Sequence, residues 1–174
     1  GPSFHIDSKV ERLNIHQGNV KDMKVAMTYE TGKLDVMATV ENEQMQGGVL
    51  LAYDLSDSLN FLSTRGQLRI DELAAFGLDI KGGQEALETS FEIIHAGQEN
   101  KSFTNLSLTD FKYTCDTATF TIDKISMEDN QKGDHNTTTL KSDVVDLFIS
   151  GNFRELRPAP FVFRLMQNYL PAYS

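Results

Sequence analysis

A chain of 174 residues with 40% hydrophobic content is long enough to bury a sizeable core as one domain. Its net charge of −9, with Lys and Arg never clustered beyond neighbouring pairs, argues against nucleic acid and anionic membrane surfaces, which both need grouped positive charge. No apolar run approaches the roughly 18 residues of a membrane span, so the fragment reads as soluble by itself.

The chain begins Gly1-Pro2 rather than Met, which reads as a protease scar. Residues 4–174 are therefore expected to form one β-rich domain excised from a larger protein. From Leu13 onward, short alternating apolar runs are separated by polar turns. Leu13 and Ile15 precede a turn at His16-Gln17-Gly18-Asn19. Met23, Val25, Met27 and Tyr29 lead through Glu30-Thr31-Gly32-Lys33, a hairpin turn, to Leu34, Val36, Ala38 and Val40. The polar run 41–48 ends in the pair Gly47-Gly48, which turn geometry explains, and Val49, Leu51, Tyr53 and Leu55 follow. Leu68 and Ile70, Leu78 and Ile80, and Leu87, Phe91 and Ile93 come next, then a loop over His95–Ser102. Leu106, Leu108, Phe111, Tyr113 and Cys115 precede Ala118, Phe120, Ile122, Ile125 and Met127. The longest polar stretch, Glu128–Thr138, reads as a mobile loop. Only residues 71–76 and 84–88 suggest short helical turns. With about ten strands and no βαβ alternation, the chain reads as mainly β rather than α/β.

Three segments share one spacing: Leu68-x-Ile70-x-x-Leu73, Leu106-x-Leu108-x-x-Phe111 and Phe120-x-Ile122-x-x-Ile125. The third apolar residue keeps the facing of the first two only if one extra residue is absorbed. A bulge or bend does that and curves the strand; chance spacing is the alternative.

The C-terminal stretch changes period. Val145, Leu147, Ile149 and Phe153 alternate as a strand. After Pro158 and Pro160, Phe161, Val162, Leu165, Met166, Tyr169 and Leu170 fall at helical spacing until Pro171. A short amphipathic helix near 158–170 is expected to pack on the groove or core of the sheet, because so short a helix is marginal alone.

No constellation of catalytic residues stands out. His5, His16, His95 and His135 are each isolated, without the spacing of a zinc site. There is no GxSxG elbow. Cys115, the one cysteine, can form no internal disulfide, which fits a reducing compartment or an envelope protein without disulfides. It lies on an apolar alternation that suits a buried, unreactive thiol. Residues 128–134 lack the ligand order of a calcium loop, and neither glycine pair is followed by the Lys-Ser/Thr of a phosphate cradle. The chain is read as a non-enzyme without cofactor or metal. Its positive feature is apolar surface: many half-buried strands pack as a sandwich, close as a barrel, or curl into a trough that suits acyl chains. Leu34, Val36, Val40, Leu51, Tyr53, Phe120, Ile122, Val145, Leu147 and Ile149 are the candidate lining of that trough, and a plain core is the other reading.

The strand segment VVDLFISGNF, the closing QNYLPAY, and the stretches LRIDEL, FGLDIKGG and LSLTDFKY resemble envelope proteins of the TamB/AsmA type from Bacteroidetes-like bacteria. The resemblance covers most of residues 4–174, by style of segment rather than strict motif. It implies a curved antiparallel sheet of β-taco form with an apolar groove. It implies a parent chain anchored in the inner membrane and extending through the periplasm of a Gram-negative envelope. The implied roles are phospholipid transfer toward the outer membrane and work with outer-membrane assembly proteins. A terminal helix departs from the most regular members and would mark a cap or boundary. The competing expectation is an all-β module that binds a glycan or protein.

Overall fold

The computed structural model describes residues 2–55, 60–78, 83–98, 100–116 and 118–152. The expected helix near 158–170, with Phe161, Val162, Leu165, Met166, Tyr169 and Leu170, lies outside them, as do Phe153 and Ile80. Among the described residues ten strands follow one another: β1 (Ser3–Ile15), β2 (Gly18–Glu30), β3 (Lys33–Glu41), β4 (Met45–Asp54), β5 (Asn60–Ile70), β6 (Ala86–Gln98), β7 (Lys101–Cys115), β8 (Ala118–Lys132), β9 (His135–Ser142) and β10 (Asp146–Gly151). Each pairs antiparallel with the next, so their order in the sheet is their order in the chain. Among the described residues the only helical element is a 3-10 turn, Leu73–Phe76, between β5 and β6.

The alternation in sequence becomes two unlike faces. On β3, Leu34, Val36, Ala38 and Val40 are half-buried while Lys33, Asp35, Met37, Thr39 and Glu41 are exposed. Registry carries the apolar face across the sheet, since directly opposed residues share a face. Val36 lies opposite Met27 on one side and Leu51 on the other. Leu51 leads through Thr64 and Ile93 to Leu106, Met127, Leu140 and Leu147.

On this inner face β4 and β5 come unusually close. A Cβ on Gly66 would fall inside the carbonyl oxygen of Gly48 and 2.9 Å from the Phe91 ring, and one on Gly47 would stand 2.5 Å from the Gln67 carbonyl oxygen. Strands β4 and β5 approach so closely there that only hydrogen atoms fit. These glycines belong to strand interiors, not to a turn; the turn is shorter and lies at residues 42–44.

The ladder is also irregular: β7 carries one extra residue against β6 between Glu88 and Ser90, and two other ladders skip a residue on both strands. Asp22 and Asp110 adopt left-handed backbone at φ 57° and 53°, a region that short polar side chains tolerate better than others. The ladder between β7 and β8 has no bridge between Thr109↔Lys124 and Phe111↔Ile122. Leu108 and Phe111, like Ile122 and Ile125, therefore face inward across a three-residue step, with Asp123 and Lys124 both exposed. Val10↔Met23 and Arg12↔Lys21 leave the same gap between β1 and β2. After Ile70 the chain leaves the sheet, and Leu73 returns to the interior as the first residue of the 3-10 turn.

The core sits at the end of the sheet that carries this turn. Val20, Ile70, Leu73, Phe76, Phe111, Tyr113, Ile122, Ile125, Met127 and Leu140 are 2–6% exposed and form one cluster. A single sheet leaves each face open to water, so such burial needs cover, and Leu73–Phe76, with Glu85, supplies part of it. Phe76 packs its ring 2.5 Å from where a Gly18 Cβ would stand, and Gln17 donates its backbone N–H to the Ala75 carbonyl at 3.0 Å. Asp71 N–H reaches the Gln44 carbonyl at 3.0 Å, and Leu73 N–H reaches that of Glu85 at 2.9 Å. Gly77, at φ 69°, ends the turn in the left-handed conformation that glycine adopts without strain.

Glu85, 1% exposed, accepts a hydrogen bond of 2.7 Å from the Tyr113 hydroxyl. Burial first, then this bond and the nearby carboxylate charge, hold the Tyr113 phenol well above its ordinary value near 10. The raised value stabilises the fold fully below the ordinary tyrosine range, and that contribution is lost as pH climbs from about 10 toward the folded-state value. An absorbance titration should therefore show one tyrosine that ionises late, together with unfolding, and Tyr113→Phe should remove that step. A late step that survives Tyr113→Phe would assign the shifted phenol to another residue.

Two expected loops are strands. The segment Glu128–Thr138 is the end of β8 and the start of β9, joined by a tight turn at Gly133-Asp134, and His95–Ser102 likewise belongs mostly to β6 and β7. Backbone pairing on both sides overrides the polarity of their side chains. The turn Thr31-Gly32, with φ 47° and 81°, stands where the hairpin is read in sequence.

Candidate functional site

The inner face is the candidate site. Two turns of register from the core end, one row of opposed residues crosses the whole sheet. On β1–β5 it is apolar: Phe4, Tyr29, Leu34, Tyr53 and Leu62. Phe4 and Tyr29 stack with ring centroids 5.3 Å apart. On β6–β9 the same row turns polar, with His95, Thr104, Asp129 and Thr138, and on β10 it ends in the apolar Ile149. His95 Nδ1 lies 2.8 Å from Thr104 Oγ1, and the Thr138 hydroxyl donates to an Asp129 carboxylate oxygen at 2.5 Å. Beside them Ser102 donates to Gln131 at 3.3 Å. Thr138 and Asn136 are buried at 2% and 3% exposure.

The residues singled out in sequence share this inner face but differ in depth. Leu34, Val36, Leu51, Tyr53 and Ile149 are half-buried. Val40, Phe120, Val145 and Leu147 are also half-buried and pack against the core cluster, and Val145 sits in the turn before β10. Ile122 is core, at 6% exposure. Cys115 is half-buried against the same cluster. Sequence reading missed the polar half of the row, because His95, Asp129 and Thr138 stand in stretches whose composition suggests loops. The available signal was spacing: His95-x-Ile93 and Asp129-x-Met127 continue the inward period by one step.

The outer face is unlike it. One hollow on it, about 480 Å³, lies over β2–β6 and is lined by Ala26, Asp35, Met37, Leu50, Arg65 and Glu92 among others. No aromatic residue lines it. Among the described residues, no group of three or more His, Cys, Asp or Glu is placed to hold a metal ion, and no helix is long and apolar enough to cross a membrane. Chemically the inner-face row offers apolar contact area on β1–β5 and hydrogen-bonding groups on β6–β9, while the row beside it stays apolar through Ile93, Leu106, Met127, Leu140 and Leu147. Comparison with protein-family models, with curated proteins and with solved structures finds no match.

Proposed function

We propose that this chain is a non-enzymatic lipid-handling segment of a periplasm-spanning envelope protein, and that acyl chains of a phospholipid lie on its inner face. The observation that carries the reading is the row that changes from Phe4, Tyr29, Leu34, Tyr53 and Leu62 to His95, Thr104, Asp129 and Thr138 across one curved sheet. An amphiphile has the same division. Its chains gain by leaving water for the apolar half, while a head group needs the hydrogen-bonding half. Within the proposal, the parent chain is anchored in the inner membrane, and the lipid moves toward the outer membrane, where assembly proteins are further partners. A glycan-binding module draws less support from the hollow over β2–β6, which offers no aromatic ring for a sugar to stack on.

Native mass spectrometry of the chain purified from a Gram-negative host should show bound phospholipid. Leu51→Asp places a charge among half-buried inner-face residues and should cut the lipid-bound fraction at least tenfold. Met37→Asp, on the exposed face of the neighbouring strand, should leave it unchanged. A lipid-free wild type that also binds no added phospholipid would overturn the reading, as would equal loss in both variants.

A further inference from the structure

We propose that the free edge of β1 is a self-association surface on which a second copy of this chain adds its own β1, antiparallel, about a two-fold axis at Ser8. Among the described residues β1 pairs only with β2, and nearly all of its thirteen residues are exposed. A long strand edge presents unpaired N–H and C=O groups, which many proteins protect with inward-pointing charge or proline. Here the inward-facing positions beyond the edge are Phe4, Ile6, Ser8 and Val10, and Phe4 and Ile6 remain 47% and 50% exposed. No charge on that face opposes an added strand.

Sequence on the edge selects the partner. Residues directly opposite in an antiparallel pair share a face. A two-fold axis at Ser8 sets Ile6 of one copy opposite Val10 of the other on the inner face. On the outer face it sets Asp7 opposite Lys9, twice. Moving the axis by one residue places Asp7 against Asp7 or Lys9 against Lys9, so charge disfavours both neighbouring registers. Lys9 already lies 2.8 Å from Asp22, and Asp7 2.9 Å from His5, but all four side chains are 57–75% exposed and can share a further counter-charge. Such an interface is isologous and closes at two copies. With the axis normal to the sheet, both inner faces lie on one side, and the apolar surface runs on across the junction.

Sedimentation velocity of the whole chain over a concentration series should show a monomer–dimer equilibrium. Asp7→Lys should weaken the dimer at least tenfold, as should Lys9→Glu, each variant keeping the wild-type circular dichroism. An equimolar mixture of the two should dimerise again, because every Lys then meets an acid. Under mild oxidation Ser8→Cys should give a disulfide-linked dimer that neither the wild type, with Cys115 alone, nor Thr28→Cys gives. A wild type that stays monomeric at millimolar concentration would overturn the proposal. So would a dimer indifferent to both charge reversals, or a mixture that fails to recover. None of these readouts depends on lipid, so the edge can fail while the lipid reading stands.

Discussion

Gly66→Val is expected to cost at least about 3 kcal/mol, the upper part of the range for overpacking, and to remove most of the cooperative unfolding transition. The obstruction is backbone. A Cβ at Gly66 would meet the Gly48 carbonyl oxygen of the adjoining strand, and beyond it the Phe91 ring at 2.9 Å. A ring can turn aside, but a carbonyl within a ladder moves only with its strand. Displacing that strand opens the bend between β4 and β5, and with it the inner face. Against a typical domain stability of about 5–15 kcal/mol, such a loss is large. The adjacent glycine supplies the contrast. A Cβ at Gly48 would find Thr39 Cγ2 at 3.6 Å, an ordinary contact. Gly48→Ala should therefore leave the urea midpoint unchanged or slightly raised, since alanine restricts the unfolded chain more than glycine does. Equal destabilisation by both changes would show that strand propensity, not the close approach, makes glycine necessary here.

Phe76→Ala should cost about 3–5 kcal/mol, the usual toll for emptying a buried aromatic site. The ring is 4% exposed and fills the space over Gly18, where a side chain on β2 would otherwise stand. It also keeps the 3-10 turn Leu73–Phe76 against the turn at His16-Gln17, so its loss should loosen cover over Leu73 and Ile70. Phe148, 66% exposed on the outer side of β10, is the control, and Phe148→Ala should shift stability by no more than about 0.5 kcal/mol. Chemical denaturation read by circular dichroism measures both. A loss below about 1 kcal/mol for Phe76→Ala would mean that the plug is an ornament of the fold and that the core is held from elsewhere.

Alternation by itself identified the apolar strands and the side of each that turns inward, from Leu34-x-Val36 to Leu147-x-Ile149, because facing has a period of two and needs no partner to be read. It left the first ten residues of β1 and the polar ends of β6 to β9 unread. The three-residue steps at Leu108–Phe111 and Ile122–Ile125 were legible as places where a strand bends, with chance as the other reading, whereas the same spacing at Ile70–Leu73 marks the end of a strand. Depth was not legible. Val36 and Ile122 carry similar apolar side chains at similar positions of the pattern, yet one is half-exposed and the other is core. What separates them is the 3-10 turn, since Ile122 belongs to the cluster that includes Leu73 and Phe76 and Val36 does not. Gly47 and Gly66 read as punctuation in a one-dimensional pattern and act as hinges only when two strands lie side by side. The Glu85–Tyr113 bond joins residues 28 apart, and polarity in β8 and β9 masked a ladder whose hydrogen bonds come from neighbours on both sides. Side-chain period is a local property of the chain, whereas burial and close approach belong to pairs of strands, and only the tertiary structure brings those pairs together.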